Sequence, residues 1–238
     1  DSHSKDKTRE IALDFGAEVV NCQGKLLEAR YLGLKESKGD YVALIDTDQV
    51  LKTDTIERAV NLMSDYDMLV FEEKSYNSEW FIPKLYSSSK KVINQRFDKS
   101  YAFDPVRGGN PARFFKRELL EKVFERIPKE LIHETIHYDH DIIYYEAYQI
   151  SQRVGILRDA IFHIEPDFKK LWRTNIRYGA SLKTVKKSHY WNLFLHKRGC
   201  GFWFSGFNTT SLQAFLLSLI LKIVQWIGYN FPFLAKKY

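Results

Sequence analysis

The apolar run Tyr41-Val-Ala-Leu-Ile45 leads directly into Asp46-Thr47-Asp48. Two carboxylates separated by one residue, where a buried strand leaves the core, offer hard oxygen ligands to a divalent cation, which could in turn hold a diphosphate. The same triplet also reads as a turn, with Thr53 or Asp54 capping the next helix. A second acidic pair lies in Ile136-His-Tyr-Asp-His-Asp-Ile-Ile143. Asp139 and Asp141 stand at i, i+2 on a helix, so only one can face a given site, and the other is an exposed acid favoured by the helix dipole. Asp159-Ala-Ile-Phe-His163 reads as a strand ending in a histidine, ordinarily a half-buried ring with a backbone partner. Arg173 and Arg177 are i, i+4 neighbours on a helix expected over about 168–187, so they share a face. That face either contacts a diphosphate or forms a solvated or membrane-facing stripe. Gly108-Gly109 is by default a tight turn.

The elements that must position these residues alternate between two hydrophobic periods. A helix starting near Asp6 ends at Phe15-Gly16, and Ala17-Glu-Val-Val20 follows as a strand. A helix over about 25–38 sets Leu27, Tyr31 and Leu34 on one face, and Gly39 stops it. Tyr41–Ile45 reads as a strand buried on both faces. A third helix, about 54–64, aligns Ile56, Ala59, Val60 and Met63, and Met68-Leu-Val-Phe71 is the next strand. Three strand–helix alternations predict an α/β fold, a sheet with helices on both faces, whose ligands bind beyond the carboxyl ends of the strands.

The chain has 238 residues, 45% apolar and 28% charged, enough for one large domain or a domain with an appendage. Two cysteines, Cys22 and Cys200, are too few for a disulfide framework and fit a reducing compartment. The net charge of +6 hides an asymmetry. From Phe168 to Tyr238 there are 12 Lys/Arg and no Asp or Glu, leaving 24 bases against all 30 acids before it. The front is therefore −6 and the back +12, and the back suits an anionic partner.

The order of these motifs resembles the nucleotide-sugar-binding half of family 2 glycosyltransferases with the GT-A fold. The likeness rests on Asp1-Ser-His-Ser-Lys-Asp-Lys-Thr-Arg-Glu-Ile-Ala, on Phe15-Gly-Ala-Glu-Val, and on Ala29-Arg-Tyr-Leu-Gly through Asp48. It implies a Rossmann-like, mixed but mostly parallel sheet with helices on both faces, and an inverting enzyme dependent on Mn²⁺ or Mg²⁺. Asp1 would lie near the nucleotide, Asp46 near the ribose or sugar, and Asp48 on the metal. Gly108 and Gly109 would precede the donor–acceptor helix, Asp139 would be the catalytic base, and His163 would join Asp48 on the metal. Tyr138 stands where the family usually has Glu, with His140 in the slot after Asp139. Arg173 and Arg177 would add positive charge at the diphosphate. The resemblance also implies a strand and loop ahead of Asp1, about 35 to 40 residues by the size of a strand–helix–strand unit.

The expected division is a catalytic domain over 1–188 and a basic, aromatic membrane-associating region over 189–238. In Leu212–Ile227, residues Leu212, Phe215, Leu216, Leu219, Ile220, Ile223, Trp226 and Ile227 form one apolar face, with Ser211, Ser218, Lys222 and Gln225 opposite. Sixteen residues are short for a bilayer span, so the pattern describes an amphipathic helix lying in an interface. Tyr190, Trp191, Phe202, Trp203 and Phe204 supply rings, and Lys183, Lys186, Lys187, Lys197 and Arg198 supply charge. The expected partners are a UDP- or GDP-sugar donor, a lipid-linked or glycan acceptor of the polyprenol or dolichol type, and an anionic membrane at its cytoplasmic face. Nucleic acid is not expected, because no binding module is recognisable. Two alternatives stay open: an inactive nucleotide-sugar-binding relative, and a soluble transferase whose C-terminal helix is a homodimer contact.

Overall fold

The computed structural model describes residues 1–192 and 208–237. Within them β1 (Tyr41–Ala43), β2 (Gln49–Leu51), β3 (Met68–Ser75), β4 (Ala112–Lys116) and β5 (Val154–His163) form one sheet in the order β1-β4-β3-β5-β2. Central β3 is buried from Met68 to Phe71. Its side chains alternate: Met68 and Val70 join one core cluster, Leu69 and Phe71 the other. The first cluster is closed by α2 (Leu26–Glu36), α5 (Arg117–Arg126), α6 (Lys129–Glu134) and α7 (Asp139–Ile150), the second by α3 (Thr55–Leu62). Helices thus cover both faces, as the alternating periods predict.

The expected mostly parallel sheet is corrected. Only β3 and β5 run parallel; β1 with β4, β4 with β3 and β2 with β5 are antiparallel. The expected strand Ala17–Val20 is absent, because its backbone is used elsewhere: the Asp1 amine donates to Val20 O at 2.6 Å and Cys22 N to Asp1 O at 2.9 Å. Tyr41–Ile45 is half-buried rather than buried on both faces, since β1 is an edge strand. Although β1 and β2 are the two edges, only residues 44–48 separate them, so the sheet curls. In α3, Ala59 and Met63 enter the core while Ile56 and Val60 are exposed.

A third cluster lies outside these layers, where α4 (Phe81–Asn94), α8 (Phe168–Val185) and α9 (Thr209–Asn230) meet through Ile82, Leu85, Leu171, Ile176, Leu217 and Val224. A Cβ on Gly179 would fall 2.1 Å from Gln225 O, and one on Gly228 would fall 2.2 Å from Ile176 O. At this crossing α8 and α9 touch backbone to backbone. A 3₁₀ turn over Pro232–Lys237 follows α9, and α1 (Thr8–Asp14) has no buried residue. Tyr190 is not a surface ring; it is buried and donates to Glu146 Oε1 at 2.7 Å. Lys197, Arg198, Phe202, Trp203 and Phe204 lie outside the described residues.

Candidate active site

Backbone register brings Asp48 to His163. Gln49 lies opposite His163 in the β2–β5 pairing, and Ile164 N donates to Asp48 O at 2.7 Å. The side chains then meet, with Asp48 Oδ1 3.4 Å from His163 Nε2. The other histidine nitrogen, Nδ1, lies 3.3 Å from Glu165 Oε2. Glu165 is buried and its carboxyl is held below its usual range: burial would raise it, but His163, Lys90 and Ser75 outweigh that. Lys170, in the first turn of α8, places Nζ 3.3 Å from Asp48 Oδ2 with its side chain 56% exposed. The triplet is also a turn, since Gln49 N donates to Asp46 O at 3.0 Å. Asp54 makes no side-chain cap and pairs instead with Arg58.

Asp46 has different surroundings. Arg30 Nη2 and Arg113 Nη1 lie 2.6 and 2.8 Å from its two oxygens, and His140 Nε2 lies 3.4 Å away. Burial would raise this carboxyl, but the bond with His140 and the charges of Arg113 and Arg30 hold it well below the usual carboxylate range. Arg30 also bonds Asp139 through Nε, so one guanidinium bridges the two acids. Arg113 continues to Glu73 and contacts the ring of His140. Burial first, then Arg113, lowers the imidazole below its ordinary value and keeps it neutral. Tyr178 of α8 stacks on His137, and burial plus Asp139, Asp46 and Asp48 push its phenol up to about 12.

Asp139 is the buried member of its pair, and Asp141 is half-buried. The residue before it, Tyr138, is left-handed at φ 68. Asp1 turns its carboxylate onto its own loop, accepting from Ser4 N at 3.0 Å. Gly108 and Gly109 form a close-packed turn: a Cβ would meet Ala102 O at 2.2 Å and Ile93 Cγ2 at 2.5 Å respectively. Arg177 lines a pocket of about 570 Å³ with Lys25, His133 and Thr184. Arg173 and Arg177 are both exposed on α8.

Residues 1–124 match the profile of the family described as Glycosyl transferase family 2. The chain belongs to glycosyl transferase family 2. No curated protein matches this family 2 chain significantly. Among solved structures it is similar to S. aureus TarS 1-349 in complex with UDP-GlcNAc, at 13% identity and a TM-score of 0.53, covering 96% of this chain and 78% of that one. It is also similar to another structure of S. aureus TarS 1-349, at 16% identity, TM-score 0.49, 94% and 69% covered. A longer S. aureus TarS matches at 15% identity and TM-score 0.49 over 96% of this chain, which spans 47% of that one.

A divalent cation at this site would need oxygen or nitrogen donors. Among the described residues no group of three or more His, Cys, Asp or Glu gathers as a metal cage. Asp48 and His163 nevertheless present one carboxylate and one imidazole 3.4 Å apart, a donor pair suited to a cation whose remaining ligands are phosphate and water. A ligating histidine commonly has its second nitrogen on a carboxylate, and Glu165 Oε2 is the carboxylate oxygen near His163 Nδ1, at ion-pair distance without a hydrogen bond. Sequence reasoning missed Arg30, Arg113, Glu73, Lys170 and Glu165. Arg30 had a signal: with Leu27 and Leu34 it occupies i, i+3, i+7, so a charge falls on the buried stripe of α2. Arg113 gave no such signal, since a polar residue between Ala112 and Phe114 is the ordinary alternation of a strand.

Proposed function

We propose that this glycosyl transferase moves a sugar from a UDP- or GDP-sugar to a lipid-linked or glycan acceptor at a membrane, with inversion, using Mn²⁺ or Mg²⁺. The observation that carries the reading is the Asp48–His163 pair, 3.4 Å apart and backed by Glu165. Asp48 and His163 would hold the cation, which when bound neutralises charge on the departing diphosphate. Lys170, exposed beside Asp48, can swing its ammonium to the same phosphates. Asp46, fixed by Arg30 and Arg113, would orient ribose or sugar hydroxyls. Asp139 would accept the proton of an acceptor hydroxyl as it attacks the anomeric carbon. With an acceptor phosphate, already ionised, it would position rather than deprotonate. One carboxylate acting on one face gives inversion, whereas a covalent retaining route needs a second across the sugar. The UDP-GlcNAc held by the TarS neighbour supports a nucleotide sugar as donor.

Thermal-shift measurement with UDP-GlcNAc and a GDP-sugar, each with and without Mn²⁺, tests this reading. A donor near a hundred times its Kd should raise the midpoint by roughly 5 to 10 °C. The expected shift requires donor and Mn²⁺ together and disappears in Asp48→Ala. Unchanged sugar transfer in Asp48→Ala would overturn the assignment.

A further inference from the structure

A surface helix of a water-soluble domain buries its apolar stripe and exposes its polar one. In α9 the outward face is apolar as well as the inward one. The face packed on α4 and α8 carries Ser211, Ala214, Leu217, Val224 and Gly228, all buried. Gln225 is also turned inward, its amide donating to Asn175 Oδ1 at 2.9 Å. The opposite face exposes Leu212, Leu216, Leu219, Ile223 and Trp226, spaced at helical period, with Leu212 at 61% and Trp226 at 62%. The stripe covers fourteen residue steps, about 21 Å at the helical rise. Phe231 and Phe233, directly after the helix, are exposed too. By length and composition α9 could cross a membrane. However, its inner face is committed to the domain through the Gly179–Gly228 crossing, so it is available on one side only.

Charge selects what covers that side. At the C-terminal end of the stripe, Lys183 of α8 and Lys186, which caps that helix, place their ammonium groups 5.6 and 5.7 Å from the Tyr229 ring centroid. Lys186 also donates to the Tyr229 hydroxyl at 3.0 Å. Lys222 is exposed between Trp226 and Leu219 along the helix. Aromatic rings beside lysines at the margin of an apolar stripe suit the boundary between acyl chains and anionic headgroups. A second copy related by a two-fold axis fits less well, because it would bring Lys183, Lys186 and Lys222 at the margin of this stripe toward their own counterparts.

We infer that the outer face of α9, from Leu212 to Trp226 with Phe231 and Phe233, is a docking surface for an anionic bilayer, in which α9 lies in the interface plane. Vesicle binding is measured without a transfer assay, so its failure would remove the membrane location from the proposed function and leave donor binding and sugar transfer untouched.

The 238-residue chain is sedimented with phosphatidylcholine vesicles and with vesicles carrying about one-third phosphatidylglycerol. Binding should favour the anionic vesicles. Leu219→Glu with Ile223→Glu should abolish it, with circular dichroism and thermal midpoint unchanged because both sites are exposed. Lys183→Gln with Lys186→Gln should weaken anionic binding by roughly 30-fold, about fivefold per lysine, and leave binding to neutral vesicles unaltered. A second measurement does not depend on the charged variants: lipids brominated near the headgroup should quench tryptophan emission, and Trp226→Phe should remove most of that quenching. Failure of the unaltered chain to pellet with anionic vesicles would overturn the inference. So would a concentration-dependent dimer, without vesicle binding, that the double Glu variant dissolves.

Discussion

Asp46 and Asp48 are two residues apart in one turn and have opposite surroundings. Around Asp46 are two arginines, Arg30 and Arg113, themselves almost buried, and a neutral His140. Around Asp48 are an imidazole at 3.4 Å and one exposed lysine. The first carboxylate has its charge matched inside the protein, so a cation there would meet two guanidinium groups. The second has a donor partner and little positive charge held in place. One motif is thus divided into an internally paired half and an open half, and the division comes from distant elements: α2 and β4 supply the arginines, β5 the histidine.

Removing each carboxylate in turn separates the halves. Asp48→Ala should reduce sugar transfer by about a hundred- to a thousandfold, as for loss of a main electrostatic stabiliser, with a nearly unchanged denaturation midpoint. Asp46→Ala should destabilise by about 3 kcal/mol or more in urea denaturation, because it strips a buried pair of arginines of their shared anion. Equal stability losses in the two variants would erase the distinction. Arg30→Met should cost about 2 to 4 kcal/mol in the same measurement, since Asp139 and Asp46 both lose their bridge.

A smaller effect follows from protons. The folded His140 titrates below its ordinary value, so the unfolded chain binds the proton more readily. The stability from keeping it neutral is complete above about pH 6.5 and is lost as pH falls toward its folded value. Asp46, Glu73 and Glu165 are depressed as well, and their contribution is lost only below about pH 4. Thermal midpoints against pH should therefore decline in two stages, and His140→Gln should flatten the upper one. The smallest change belongs to Lys170→Met. An exposed pair at 3.3 Å contributes at most about 0.5 kcal/mol, yet removing its charge beside Asp48 should tighten Mn²⁺ binding, measured by electron paramagnetic resonance.

The helices and the central strand were legible because apolar period survives burial on two faces, as Met68–Phe71 illustrates. Strand direction was not. A β-strand has the same period whichever way it runs, and the antiparallel pairing of β2 with β5 depends on a curl of the sheet that no local pattern encodes. Asp46 and Asp48 stand out as acids at the end of an apolar run, and Asp139 through the resemblance of its acidic segment to the family pattern. Their partners were harder to see, because Arg30 and Asp139 are 109 residues apart and meet only after folding. On α9 the expected apolar face holds for Leu212, Phe215, Leu216, Leu219, Ile223 and Trp226, which are exposed, whereas Ile220 and Ile227 pack on the domain, because a wheel cannot tell which side the domain claims. The glycine at 228 was the available clue, since a small residue marks the side where another backbone comes near.

That crossing also has a mechanical side. With Gly179 and Gly228 leaving no side chain between the two helices, neither rod can slide or roll past the other without driving one main chain into the next. From the crossing to Lys170 is nine residues of unbroken α8, a stiff arm of about 13 Å. A tilt imposed on α9 from outside would therefore reach the neighbourhood of Asp48 as a displacement of that arm's far end.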